Sequence, residues 1–503
     1  MHRPLALLLL ALASASVSPA HAQAADKPDL SLHGEVSGKD NQTYRLVPFD
    51  VPTGTTRITV QFDYDNKADH TTIDLGLLGP DGFRGQDGFR GWSGGTKRVF
   101  TVSATDATPS YLPGAIRPGR WQVLLGLPNV RPEAHTPYDI KVWFGHHGDP
   151  AWKPDVLNPP LRTGSAWYRG DLHMHTAHSD GQCNSQGGKR VSCPLFLTVQ
   201  AAVARHLDFI AITDHNTVSH TNAMRELQPY YDQLLLIPGR EITTFSGHAN
   251  LFGSSEPLDF RVGSKEVPDW TTVARHAAAL HGVLSINHAI RPSGEVCMGC
   301  GWTARPPIDM HLVQAVEIVN DGDAGSALSG IPFWEQQLGA GYHVTGIGGS
   351  DNHDAGATEA RPGSSTIGRP TTVVHADALS MPAILDGIRT GHAFVDVQGS
   401  TDRLLEVQAS AGDNKAAMGD SLQVRAGTAI RFTIHAAHVA GAHALALLDG
   451  KPLALANDGK LEGEEARLGF DWTSDGKPHW LRVEVRGADG TPWLYGNPIY
   501  LNR

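Results

Sequence analysis

The chain has 503 residues, too many for one ordinary domain; at about 150 residues per domain, roughly three are expected. Lys and Arg total 41 against 52 Asp and Glu, a formal net charge of −11 with no basic run, which argues against a nucleic-acid scaffold held by bulk electrostatics. An apolar content of 40% is enough to build cores, so the 55 glycines and 32 prolines read as turns, not disorder; the odd figure is 26 histidines, a surplus of the commonest metal ligand.

The N-terminus predicts a secretory signal over residues 1–22. Arg3 supplies the positive charge, Leu5 to Ala13 an apolar run, and Ala20-His21-Ala22 a cleavage site, giving a mature chain from Gln23. The run is too short to span a bilayer, no Cys follows the cleavage site, and no later stretch reaches 18 apolar residues. The expected protein is therefore periplasmic or secreted, without a membrane anchor. Residues 23–153 alternate apolar and polar side chains in Thr56–Phe62, Trp121–Leu125 and Tyr138–Trp143, which predicts an N-terminal β-sandwich. Asp81-Gly-Phe-Arg-Gly85 recurs as Asp87-Gly-Phe-Arg-Gly91, a Gly-rich loop that is either plain surface or a reach over a neighbouring site.

A Pro-rich linker, 154–164, leads into an α/β region over 165–401. Expected there are helices at Leu195–Arg205, Thr272–Leu280, Pro332–Leu338 and Pro382–Arg389. Between them fall strands at Leu207–Thr213, Leu234–Ile237, Val283–Ile286, Ala315–Val319, His343–Ile347 and Thr371–Val374. That alternation predicts a parallel, barrel-like sheet. Residues 402–503 return to strand patterns such as Arg431–Ile434 and Trp480–Val485, a second β-sandwich. All four cysteines, 183, 193, 297 and 300, lie in the middle region. In an exported chain they suggest disulfides, with Cys183–Cys193 and Cys297–Cys300 the sequence-local pairing among three possible connectivities; a four-cysteine zinc site is the rival.

Polar ligands gather where the middle strands end. His173 and His175, two apart, share one side of an extended segment, and Asp180 follows. His215, Glu241, His248, His288, Asp351 and His353 come at or after later strand ends. Any one of these would pass as an ordinary loop residue. Five successive strand-to-helix junctions ending in His, Asp or Glu do not, because that is where barrel enzymes place active sites. A multinuclear metal site is expected, and mixed imidazole and carboxylate donors suit Zn, Mn or Fe better than Ca or Mg.

In this order, Asp-Leu-His-Met-His, Ser-Asp-Gly, Ile-Thr-Asp-His-Asn, Gly-Arg-Glu, Gly-His, Asn-His and Gly-Ser-Asp-Asn-His resemble the motifs of the PHP (polymerase and histidinol phosphatase) metallo-phosphoesterases over roughly 165–400. Gly368-Arg-Pro-Thr-Thr372 and Asn497-Pro-Ile-Tyr500 resemble more narrowly its exported branch containing carbaryl hydrolase. The family resemblance implies a distorted (β/α)7 barrel with two or three divalent ions. His173, His175, Glu241 and Asp351 would hold the first; Glu241 would bridge to a second completed by His248 and His288; Asp180, His215 and His353 would hold the third. Asn-His-Ala-Ile in place of the more usual Asn-His-Pro leaves the ligand itself in place.

The expected activity is metal-dependent hydrolysis of a small phosphoester by direct attack of a metal-bridging hydroxide, with no protein nucleophile. Arg240, Arg291 and Arg369 are the candidates for the phosphoryl oxygens, His178 is a further candidate ligand or acid, and Asp214 a group that orients a ligand histidine. Residues 297–302 suggest a stapled loop with an aromatic wall. The narrower branch favours carboxylester or carbamate cleavage on the same ions. A protein of another class, binding glycan or cell wall through its sandwiches around an ancillary metal centre, is the other alternative. No stable nucleic-acid partner is expected, and the sequence leaves the oligomeric state open.

Overall fold

A computed structural model describes residues 26–65, 67, 70–85, 87–295, 297–357 and 365–503; the expected signal, 1–22, lies outside the described residues. Strands β1 (Leu30–Ser37), β2 (Thr43–Val51), β3 (Thr55–Tyr64), β4 (Thr72–Leu78), β5 (Phe89–Gly94), β6 (Val99–Ser103), β7 (Gly119–Asn129) and β8 (His135–His146) form two four-stranded sheets, ordered β1-β8-β3-β6 and β2-β7-β4-β5. Alternation puts Ile58, Val60 and Phe62 of one sheet against Trp121, Val123 and Leu125 of the other in one core. In the repeated Gly-rich segment one of the two arginines is turned inward. Arg90 is buried and spends its guanidinium on the carbonyls of Leu112, Gly114 and Ala115.

The middle region runs β9 (Arg162–Asp171), β10 (Gln182–Asn184), β11 (Arg190–Ser192), α1 (Leu195–Ala204), β12 (Phe209–Ile212), α2 (Thr221–Leu227), β13 (Leu235–Thr244), β14 (Gly247–Phe252), α3 (Trp270–Ala279), β15 (Val283–Ile286), β16 (Ala315–Asn320), α4 (Ile331–Gly339), β17 (Thr345–Gly349), β18 (Thr371–Leu379), α5 (Met381–Arg389) and β19 (Ala393–Asp396). Both faces of β12, β15 and β16 are buried, the mark of a sheet covered on both sides. Helix starts follow side-chain chemistry: Asp269 accepts from Thr272 N and Ser380 from Ala383 N, capping α3 and α5.

The sheet is mixed, not parallel as the alternation predicted. β9, β12 and β13 are parallel neighbours, as are β15, β16 and β17, but β14 is antiparallel to both β13 and β15. The cause is local: Phe245 and Ser246 alone separate β13 from β14, and so short a connection permits only a hairpin. The five successive strand-to-helix junctions are therefore not present as such. The sheet curls until the segment after β17 meets the one after β9, through a parallel bridge between Asn352 and Met174.

The sheet also runs unbroken past position 401. β9 pairs with β18, β18 with β19, and β19 with the strand Pro492–Gly496. That strand pairs with His479–Arg486, which in turn pairs with His443–Leu448. A separate sheet built on Leu404–Ala411 and Ala429–Ala437 packs across this extension around Phe394, Phe432 and Val483. Both disulfides are sequence-local, Cys183–Cys193 and Cys297–Cys300, which disposes of the four-cysteine zinc site. Among the described residues no helix is long and apolar enough to cross a membrane.

The N-terminal sandwich is pinned to the middle region by a buried charge. Asp106 is fully buried, with Arg57 Nη2 at 3.1 Å and Arg225 Nε of α2 at 2.7 Å. Burial alone raises its pKa, but the two guanidiniums outweigh that and hold the carboxyl well below the usual range. Removing the acid strands two cations, so Asp106→Asn is expected to cost about 3–5 kcal/mol in chemical denaturation. The depressed pKa gives stability that is complete above the unfolded value near 3.9 and is lost as pH falls below it; the variant's stability is expected to lose that acid limb.

Candidate metal centre

The ligand-bearing segments stay in lateral register beyond their strands. Asn352 O accepts from His175 N at 2.8 Å, Met174 O from Thr213 N at 3.0 Å, and Thr213 O from Glu241 N at 3.0 Å. His173, Asp351 and Glu241 are thereby presented to one volume. Close approach fixes the glycine before this turn: a Cβ at Gly349 would lie 2.5 Å from both His173 Cβ and Glu317 Oε1. Asp351, just after this glycine, and His288, just after β15, both have positive φ, 53° and 26°, a conformation kept only where surrounding bonds hold it.

All nine residues expected as ligands come together. Glu241, 1% exposed, is the hub. Its Oε1 lies 3.4 Å from His173 Nε2, 3.3 Å from His248 Nδ1 and 3.2 Å from His288 Nε2. Its Oε2 lies 2.8 Å from His215 Nδ1 and 3.7 Å from His175 Nε2. Asp351 Oδ1 is 3.3 and 3.2 Å from the Nε2 atoms of His173 and His175. Asp180, the most exposed of the set, has His215 Nε2 at 3.6 Å and His353 Nε2 at 3.4 Å. The donor atoms fall into groups spaced for a cation: His175, Asp180, His215 and His353; His173, His175 and Asp351; His173, Glu241 and His288. His248 enters such a group only with His288 and the sulfur of Cys300, which is spent in its disulfide.

Each imidazole is tied at one nitrogen and aimed with the other. His173 Nδ1 faces Glu317 Oε1 at 3.0 Å, His288 Nδ1 the Cys300 carbonyl at 3.0 Å, and His248 Nε2 the Met298 carbonyl at 3.3 Å. His353 Nδ1 meets the Asp351 carbonyl at 2.9 Å, His215 Nδ1 the Thr243 hydroxyl at 2.6 Å, and His175 Nδ1 the Ser179 hydroxyl at 3.5 Å. The aimed Nε2 atoms of His173 and His175 are buried and form no hydrogen bond. Convergent buried donors without a partner, backed by a carboxylate and a hydroxyl, are what a bound cation would complete.

The electrostatics agree. Burial raises the carboxyls of Glu241 and Asp351, yet the surrounding imidazoles hold both well below the usual range. Burial lowers His173, but Asp351, Glu317 and Glu241 overcome it and raise the pKa well above 6.5. His175, buried beside His353 and His215, is pushed down to about 4. The cluster opens into a hollow of about 390 Å³ whose lining also includes Arg291, Met298, Asp321 and Ser365.

The four expected substrate contacts divide. Arg291 is at the hollow, 3.4 Å from Asp351 Oδ2 and 3.0 Å from Asp323 Oδ2. Arg240 is not: neighbours on a strand face opposite sides, so while Glu241 points into the cluster Arg240 is buried behind it, bonded to the carbonyls of Ser254 and Glu256. Arg369 is exposed and lines an adjacent hollow with Arg486. His178 is turned to the Ser219 hydroxyl at 2.7 Å and belongs to none of the cation-spaced groups. Asp214 acts one step removed, accepting from Thr176 N and from Ser179 Oγ, the hydroxyl beside His175. Glu317 is the residue the sequence reading missed; its one signal was a lone charge within the otherwise apolar Ala315–Val319.

No family model and no curated protein matches the chain. Among solved structures, a two-domain protein containing a predicted PHP-like metal-dependent phosphoesterase from Bacteroides vulgatus ATCC 8482 is 19% identical, covering 67% of this chain and 95% of that one with a TM-score of 0.38. Xylanase10C from Cellvibrio japonicus, in complex with xylopentaose, is 10% identical over 40% of each chain with a TM-score of 0.15. Overlaps this loose carry no weight for fold or chemistry.

Glu317→Gln keeps shape but removes the charge behind His173. It is expected to weaken divalent-ion binding about 10–100-fold, read by titration of the chelator-stripped protein, with cooperative unfolding of the stripped variant showing that the fold is kept.

Proposed function

We propose that the chain is an exported metal-dependent hydrolase of the PHP type, with the middle strands as its seven-stranded ring, acting on a small phosphoester. The observation that carries this is the tethering of all six histidines, each fixed at one nitrogen and directed by the other at Glu241, Asp351 or Asp180. Histidines placed merely for packing have no reason to share that arrangement. His173, His175, Glu241 and Asp351 would hold one ion, Glu241 with His248 and His288 a second, and Asp180, His215 and His353 a third. Bound divalent ions of the Zn, Mn or Fe class supply Lewis acidity toward the ester and water acidified to near neutrality.

The chain's own groups then bind and orient. Arg291 places a cation beside Asp351 at the hollow, where it would meet the non-bridging oxygens of a phosphoester. No protein nucleophile is needed. Every cysteine is in a disulfide, the Thr243 hydroxyl is committed to His215, and the Ser365 hydroxyl has no hydrogen-bond partner to activate it. Two disulfides suit an oxidising compartment and so support export. Carboxylester or carbamate cleavage is the second reading, favoured by the half-exposed Met298 at the rim, an apolar wall for a neutral substrate.

Protein stripped with a chelator and reloaded with Zn2+, Mn2+ or Fe2+ should regain turnover of p-nitrophenyl phosphate. Turnover of p-nitrophenyl acetate alone would establish the second reading, and less than one ion per chain would sink the site. Because the carboxylates around His173 raise its pKa and a bound ion would displace its proton, uptake is expected to tighten as pH rises. Arg291→Ala is expected to lower kcat/KM for the phosphate about 10²–10³-fold and to spare the acetate.

A further inference from the structure

Two of the tethers come from one short loop. Met298 O meets His248 Nε2 at 3.3 Å and Cys300 O meets His288 Nδ1 at 3.0 Å; these residues lie within the span that the Cys297–Cys300 disulfide closes. The other nitrogens of the same two histidines face one oxygen, Glu241 Oε1. Free carbonyls on a mobile loop would tie an imidazole poorly, since orienting partners act only when they are themselves fixed.

This loop is fixed on three sides. Gly299 N donates to Ser293 Oγ at 2.8 Å, and Trp302 N to Ala289 O at 2.9 Å. Gly299, at φ 83°, lies so close to the β13–β14 hairpin that a Cβ would come 1.8 Å from Thr244 O. Trp302 lies over Gly247, the residue before His248, where a Cβ would come 2.5 Å from its ring, and it packs on Trp270 at 4.7 Å between ring centroids.

We propose that the disulfide-closed loop Cys297–Cys300 is the positioning element for His248 and His288, holding both imidazoles at the angle that lets them share an ion with Glu241. This rests on the metal-site reading above and adds which part of the chain sets the strength of one ion's binding. The loop's residues are positioning residues, and none of the loop's side chains is needed as a ligand.

The test is ion binding to the stripped full-length protein, using Co2+ titration followed by its visible absorption and, separately, Zn2+ stoichiometry by elemental analysis. Cys297→Ser/Cys300→Ser opens the loop, and Gly299→Ala pushes it off the hairpin with the disulfide intact. Both are expected to weaken one ion about 10–100-fold and to change the Co2+ spectrum as His248→Ala does, while the other ions bind as in the wild type. Unfolding of the stripped proteins separates this from simple loss of fold: stripped variants melting as cooperatively as the wild type while losing one ion support the proposal. Wild-type affinity and spectrum in both variants, with His248→Ala still losing an ion, would overturn the positioning role and leave the metal site standing. A wild type that binds neither Co2+ nor Zn2+ would overturn the metal site and the positioning role together.

Discussion

Everything at the centre turns on one buried carboxylate. Glu241 is almost wholly removed from water, which is costly for a charge unless partners surround it. Five imidazoles do so, and they divide between its two oxygens. Oε1 faces His173, His248 and His288 and accepts from Asn287 Nδ2 at 3.0 Å, while Oε2 faces His175 and His215. The Glu241 carboxylate thus lies where five imidazoles from four chain segments meet. Its backbone is held as firmly, since Glu241 N donates to Thr213 O and Glu241 O accepts from Asn216 N at 2.8 Å.

Rigidity around this hub is distributed over the chain. The groups that tie the histidines come from β16, from β13, from the turn after β9 and from the loop at 298–300. Asp171 adds a layer behind them. It is fully buried and accepts from His173 N, Ser350 N and Gly368 N, so one carboxylate binds the start of the first ligand segment to the start of the last. Burial raises its pKa, offset in part by those donors. The arrangement exists only when β9, β16, β17 and β18 have all assembled, so the site is an outcome of the whole middle region.

The site was legible where chemistry is local and illegible where it is not. His173 and His175 declare themselves by a two-residue spacing, and His215, Glu241, His288 and Asp351 by standing at or just past apolar strands. Glu317 lacks any such companion, and only the curl of the sheet brings it to His173. Arg240 was misjudged because nearness in sequence to Glu241 means the opposite face on a strand. The hairpin at 244–247 was overlooked because Phe245 and Ser246 carry no strong turn signal, and with it went the parallel order of the sheet. The four expected helices fell where periodicity put them, as α1, α3, α4 and α5, whereas the short α2 was not expected. The pairing of Phe394 with Gly496, which carries the sheet into the C-terminal region, is between distant residues and leaves no local mark.

The two short motifs outside the ligand set gain a physical meaning from the same geometry. Asn497 donates to the carbonyls of Gly346 and Ala393 and accepts from Gly346 N at 2.7 Å, clamping β17 to the C-terminal extension of the sheet. Thr372 accepts from Gly348 N at 2.8 Å and donates to Gly348 O at 2.7 Å, and Gly368 N is bound by Asp171. All of these act on β17 or its neighbour, the elements that deliver Asp351 and His353. At the other end, Asp106 grips Arg225 of α2, the helix that begins just after the His215 loop. Asp106 and Asn497, one from each flanking region, thus brace the middle region beside the segments that lead from His215 and to Asp351.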